Sequence, residues 1–241
     1  MRLASVSGEA ELSLSAGGPF TLHLRGELAH GCLDQVLGRW WTELWSLFRA
    51  RRHPYAYIDV EGEWMKLGAR TTGRVKMEDF DFMGAPFRGV ELMVDAGTER
   101  TVIGLEDLAG GSKPADGSVD GTAIWDWRRP PQEAGPYVEV SGDLDPWVAA
   151  RCAGKDFGEA LKGLRLPAGR RLKVSVRPGK VQPAVAAEIS APGLTDAWGF
   201  PLRDLKAITE GAGEEMLIRS TFGLAEGRAR LDIRGDALRR P

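Results

Sequence analysis

Four short stretches of the chain share one alternation of apolar and polar residues, and each contains a glycine followed by an acid. They are LHLRGEL at 22–28, IDVEGEW at 58–64, VEVSGDL at 138–144 and LDIRGDA at 231–237. Strict alternation places every second side chain on the same face of a β-strand. Each stretch therefore predicts a strand with one apolar and one polar face, as in an antiparallel sheet that is covered on one side.

The glycine of each stretch falls on the apolar face of its strand, at Gly26, Gly62, Gly142 and Gly235. A glycine there removes a side chain and is typical of a bulge, a bend or a close approach of two strands. Four strands that each carry a glycine on the apolar face predict a sheet that curves around that face. The side chains expected to line the resulting groove are Leu22, Leu24, Ile58, Val60, Trp64, Val138, Val140, Leu231 and Ile233.

The chain also contains an internal repeat with an offset of about 115 residues. GAPFRGVELMVDAGTER, which starts at Gly84, aligns with GFPLRDLKAITEGAGEE, which starts at Gly199, and the order of predicted elements recurs with it. We therefore predict two tandem units, 1–137 and 138–241, each with one short amphipathic helix. The pattern leaves open whether they form two domains or one continuous domain.

The helix of the first unit is predicted at about 32–52, where apolar residues recur at helical spacing. Trp40, Trp41 and Trp45 lie within it, and arginines follow at its end. Such a helix can close the open end of the sheet by packing its tryptophans on the apolar face, which we favour. It can also lie at a membrane interface, where tryptophan and arginine are both favourable.

The helix of the second unit is predicted at about 145–164. Asp145 is a suitable N-cap residue and Pro146 suits the first helical position. Gly154 and Gly158 indicate a break into two shorter helices.

Composition excludes several classes of protein. The 241 residues carry a net charge of −2, so no basic field favours nucleic acid. The chain contains no run of 18 or more apolar residues, so no membrane-spanning helix is predicted. The N-terminus lacks a signal-peptide pattern. Because alternation begins almost at once, we expect the chain to be a segment of a longer protein.

No catalytic or metal-binding motif occurs in the sequence. Cys32 and Cys152 have neither metal-ligand spacing nor a disulfide framework. The acid pairs Glu61/Glu63 and Glu139/Asp143 would suit a glycan hydrolase only if two acids faced each other across a cleft. We expect no enzymatic activity, no cofactor and no metal.

The chain resembles the AsmA-like family of Gram-negative bacteria, which is related to TamB and to the repeating β-groove, or bridge-like, lipid transfer proteins. The resemblance lies in the strands LHLRGEL and VEVSGDL that lead into short helices, the latter through DLDPW (143–147). It also lies in the turns GAPFRGVEL and GFPLRDLKA, and in the ending LAEGRARLDIRGDA (224–237). The resemblance covers most of the chain through short, degenerate motifs.

The resemblance implies a taco-shaped antiparallel β-groove that shields acyl chains between two membranes. It implies a location in the periplasm or cell envelope, a phospholipid or other acyl-chain lipid as partner, and contact with neighbouring segments of the parent chain. Contact with a membrane surface is expected if the helix that carries Trp40, Trp41 and Trp45 lies at an interface. Family members are usually much longer and anchored by an N-terminal helix, so this chain would be one segment of a conduit.

A different interpretation remains open. The apolar face can instead be an ordinary core, in a closed β-sandwich that serves as a structural or assembly scaffold without lipid. A charged substitution on the apolar face distinguishes the two interpretations. In an open groove it should abolish lipid binding and leave the fold intact, whereas in a closed core it should unfold the domain.

Overall fold

A computed structural model describes residues 6–12, 15, 17–28, 39–63, 68–130, 135–179, 184–212 and 215–236. Within them the chain forms one open antiparallel sheet of 15 strands and three short α-helices. The prediction of a mainly β protein built on a single curved, open sheet is confirmed.

The strands are Val6–Leu12 (β1), Pro19–Glu27 (β2), Phe48–Ala50 (β3), Tyr55–Glu63 (β4), Arg70–Phe82 (β5), Ala85–Ala96 (β6), Arg100–Gly110 (β7), Ser118–Asp126 (β8), Tyr137–Gly142 (β9), Leu164–Arg165 (β10), Arg171–Arg177 (β11), Ala184–Ala197 (β12), Phe200–Ala212 (β13), Glu215–Leu224 (β14) and Gly227–Asp236 (β15). The helices are Arg39–Ser46 (α1), Pro146–Ala153 (α2) and Lys155–Leu161 (α3).

The sheet is a meander that departs from sequence order at two places. Strand β2 pairs with β4, and β9 pairs with β11, so each departure leaves out one short strand. The segment left out first contains α1 and β3, and the second contains α2, α3 and β10. Strand β3 pairs with the end of β5, and β10 pairs with the end of β12. The order of elements and the pairing pattern therefore recur, and the sheet continues without interruption from β8 to β9.

The two long hairpins turn in the same way. Met83 and Gly84 have φ of 50° and 81°, and Trp198 and Gly199 have φ of 52° and 88°. Two consecutive positive φ values are those of a type I′ turn, whose twist matches that of the flanking strands. The backbone N–H of Met83 donates to Leu47, and that of Trp198 donates to Gly163. The sequence repeat thus corresponds to a repeat of turn geometry.

The first predicted helix is shorter in the structure than in the sequence analysis. Among the described residues of 32–52, α1 ends at Ser46 and Phe48–Ala50 forms strand β3. The Phe48 ring lies 5.6 Å from that of Phe80 and 4.8 Å from that of Phe82. The reason for the difference is therefore non-local, because β3 gains its hydrogen bonds and its aromatic contacts from β5. Residues 29–38 lie outside the described part.

The second helical segment begins as predicted. The Asp145 carboxylate accepts a hydrogen bond from the backbone N–H of Trp147 at 3.3 Å, and Pro146 occupies the first helical position. The helix breaks at Gly154, with φ of 159°. Gly158, in contrast, lies inside α3, where it allows close approach to Arg151 of α2.

The main core extends from β2 to β11 and contains Trp45, Leu144 and Val148 from the helical connections. Every described strand belongs to one sheet. Side chains of its central strands are therefore buried by other strands of the same sheet and by the helices. A flat sheet cannot bury its own face in this way, so the burial itself requires the curvature.

The strand pair β8–β9, where the two units join, is closely spaced on the apolar side. A Cβ at Gly142 would collide with the backbone of Ser118 and Val119, and one at Gly121 would collide with the backbone of Glu139 and Val140. The interpretation of Gly142 as a point of close approach agrees with this geometry.

Candidate functional site

The cross-strand register defines one apolar face that continues across the sheet. Residues that pair directly in an antiparallel sheet share a face. Leu22 pairs with Val60, Leu24 pairs with Ile58, and Ile218 pairs with Ile233. Eight of the predicted lining residues lie on this face: Leu22, Leu24, Ile58, Val60, Val138, Val140, Leu231 and Ile233. The ninth, Trp64, lies outside the described residues.

The opposite face carries charged pairs that cross between strands. Arg70 contacts Asp95 at 3.3 Å, and Lys173 contacts Glu139 at 2.7 Å. These side chains are well exposed, so each pair contributes little to stability. The polar face is therefore a solvated outer surface.

The apolar face is closed over the central strands. Val60 is fully buried and Ile58 is 3% exposed. Their neighbours Val75, Leu92 and Ile103 are each 1% exposed. Protein side chains occupy this part of the face, so a ligand that reached Ile58 or Val60 would have to displace core contacts.

The same face is only partly covered over the last strands. Ala191 of β12 and Leu205 of β13 are buried with Leu164 of β10 in a small second core. Val138 and Val140 are half-buried, whereas Val185, Leu231 and Ile233 are 40%, 48% and 46% exposed. We call the rest of the apolar face of β12–β15, outside this second core, the open half. It is the part of the face that a ligand can reach without unfolding the protein.

The open half carries small residues on strand β13. On β13 the positions on this face beyond the buried Leu205 are Ala207, Thr209 and Gly211. Larger apolar residues stand on both sides, including Val185 on β12 and Ile218 on β14. Val185 and Ile218 were absent from the predicted lining. Each lies in a stretch of alternating apolar and polar residues, and that alternation could have identified them as lining residues.

The tryptophans of α1 are only partly described. Trp45 is 6% exposed, and its ring lies 5.9 Å from that of Phe48. The side chains of Trp40 and Trp41 lie outside the described residues. An interfacial role for this helix stays a prediction.

Two of the acids considered for chemistry, Glu139 and Asp143, have structural partners. Glu139 accepts from Lys173 and from the Tyr137 hydroxyl, and these contacts lower its pKa. Asp143 accepts from the backbone N–H of Ser118 at 2.9 Å. Burial raises the pKa of Cys152 to about 12, so its thiol is not a nucleophile near neutral pH. Among the described residues, no three His, Cys, Asp or Glu side chains are grouped to hold a metal.

One exposed pair makes the outer face sensitive to pH. His23 Nδ1 lies 2.6 Å from Asp59 Oδ1, and this hydrogen bond raises the pKa of His23 above its ordinary 6.5. A raised histidine pKa stabilises the fold below the unfolded value, and the contribution is lost as pH rises through the folded value. We expect Asp59→Asn to lower the pKa of His23, measured from the imidazole proton resonances. Glu61→Gln removes the same charge from β4 and should leave that pKa nearly unchanged. An equal shift in both variants would contradict a specific contact.

Comparison of the chain with protein-family models, with curated proteins and with solved structures finds no significant match. None of the described helices has the length and apolar character needed to cross a membrane.

Proposed function

We propose that the chain is a segment of an AsmA-like lipid transfer protein of the cell envelope, and that its open half shields acyl chains of phospholipids or similar lipids. The observation that carries this proposal is the exposure of apolar side chains on β12–β15, on the face that is closed over β4–β8. The resemblance in sequence supports the family, the periplasmic location and the contact with neighbouring segments of a parent chain.

The physical basis of binding is the removal of apolar area from water, at about 25 cal/mol per Å². Acyl chains suit such a surface because Ala207, Thr209 and Gly211 on β13 are small, and aliphatic residues flank them on β12 and β14. The cross-strand pairs of this face include no charged side chain that could bind a lipid headgroup specifically. We therefore expect tolerance of different acyl chains.

The second candidate function is a structural or assembly scaffold without lipid. The closed half favours it, because the face around Val60 is an ordinary core. In that case the open half would contact protein.

Native mass spectrometry of the purified protein, followed by lipid extraction, tests the proposal. We expect lipid to co-purify with the wild-type chain and to fall about tenfold or more in Ile233→Asp, because an isolated charge is costly to bury against an acyl chain. Ile233 is 46% exposed, so this variant should still fold.

The matched control is Thr221→Asp, which adds the same charge on the polar face of β14. It should retain wild-type lipid content. A lipid-free wild-type protein, or equal lipid in Ile233→Asp, would favour the scaffold function.

A further inference from the structure

A second concave site lies on the polar face, on the side of the sheet opposite to the open half. It lies where β7 and β9 begin and where β8 and β11 end, opposite the end of β9 that leads to α2. The cavity measures about 480 Å³. Its charged and phenolic lining comprises Arg100, Asp126, Arg128, Arg129, Tyr137 and Arg177.

Only part of the positive charge in this cavity is neutralised. Arg128 binds the Asp126 carboxylate through two contacts, Nε to Oδ1 at 2.9 Å and Nη2 to Oδ2 at 3.2 Å. Arg129 lies 3.8 Å from the same carboxylate. Among the described residues, Arg100 and Arg177 have no side-chain hydrogen bond or ion pair. Arg128 also lies 3.8 Å from Glu99, and Glu139 interacts electrostatically with Arg177. Four guanidinium groups and one carboxylate line the cavity itself, so its lining carries an excess of positive charge.

The register explains why these groups converge. Arg100 pairs directly with Asp126 across β7 and β8, and Ile124 pairs with Tyr137 across β8 and β9. Arg177, at the end of β11, follows Val176, which pairs with Val138. Neighbouring strands therefore present arginine at one end of one face, although the residues are far apart in sequence.

The chemistry of this arrangement suits an oxyanion. Guanidinium presents its N–H donors in a planar fork that matches the oxygens of phosphate, often through two parallel hydrogen bonds. A concave surface with an excess of positive charge concentrates anions more strongly than scattered surface charges do. The volume exceeds what one phosphate group needs and lies within the usual range for small-molecule sites, roughly 300–1,000 Å³.

We propose that this cavity binds a phosphate ester, with Arg100 and Arg177 as the anchoring donors. The phosphate belongs either to a free small molecule or to a lipid headgroup. The inference stands whether or not the open half carries acyl chains, because the two sites lie on opposite faces of the sheet.

The test is a titration of the full chain with glycerol phosphate, monitored by NMR through the side-chain N–H resonances of arginine. Sodium chloride at equal ionic strength serves as the reference. We expect saturable shifts with glycerol phosphate, and about tenfold or greater weakening in Arg100→Gln/Arg177→Gln, because charge-assisted contacts are lost. The matched control is Arg74→Gln/Arg219→Gln, which removes the same charge at exposed arginines of other strands.

Sedimentation with vesicles distinguishes the two sources of phosphate. Vesicles of phosphatidylcholine, with and without phosphatidylglycerol, are compared for the wild type and both double variants. Binding to anionic vesicles that requires Arg100 and Arg177 assigns a lipid headgroup, and response to glycerol phosphate alone assigns a free ester. Absence of both, or an equal response in the two double variants, would overturn the proposal.

Discussion

Val60→Asp should unfold the protein, with a loss on the order of 4 kcal/mol of unfolding free energy. Val60 is fully buried on β4, between Leu22 of β2 and Thr71 of β5. A carboxylate there loses its hydration and gains no counter-charge from the apolar side chains around it. Circular dichroism with urea denaturation measures the effect.

Ile233→Asp is the control for this prediction, because it places the same charge on the same face of β15. Its side chain is 46% exposed, so the carboxylate keeps water and the fold should change by less than about 1 kcal/mol. Near wild-type stability of Val60→Asp would contradict the closed core. Unfolding of both variants would mean that the open half is closed as well.

Phe80→Ala should cost about 3–5 kcal/mol. Phe80 is 1% exposed on β5. Its ring stacks on Phe87 of β6 at 5.7 Å and lies 5.6 Å from Phe48 of β3. Removing it leaves a cavity at the point where the helical connection of the first unit joins the sheet. Urea denaturation monitored by tryptophan fluorescence gives the value.

Phe200→Ala is the matched control for the aromatic deletion. Phe200 lies on β13, in the hairpin that repeats that of Phe80, and is 69% exposed. Its loss should stay within about 0.5 kcal/mol, as is usual at the surface. Similar losses of unfolding free energy in Phe80→Ala and Phe200→Ala would mean that Phe200 is buried to the same extent as Phe80.

The difference between the two halves of the face bears directly on function. A face closed throughout would support only a scaffold, and a face open throughout would lack a core of its own. Here Val60, Phe80 and Val148 provide the core, and Leu231 and Ile233 provide accessible apolar surface. Stability and the proposed binding therefore depend on different strands, so each can be tested by its own substitution.

Local pattern was sufficient to predict which side chains share a face. Alternation has a period of two, and one glycine or acid does not change it, so Leu24, Ile58 and Ile233 could be placed on the apolar side in advance. The start of α2 was equally local, since Asp145 and Pro146 act within one turn. The turn at Gly84 and its repeat at Gly199 follow from a backbone conformation that glycine adopts without strain.

Only the tertiary structure decided what covers each position. Val60 and Ile233 occupy similar alternating stretches, yet one is fully buried and the other is 46% exposed, because burial depends on how strands distant in sequence curve toward one another. Phe48 joined a strand rather than a helix because its partners are on β5. The arginine cavity draws on four segments between Arg100 and Pro178. Sequence alone determined the two faces and the repeat, and the curvature of the sheet determined which part of the apolar face became core and which stayed open.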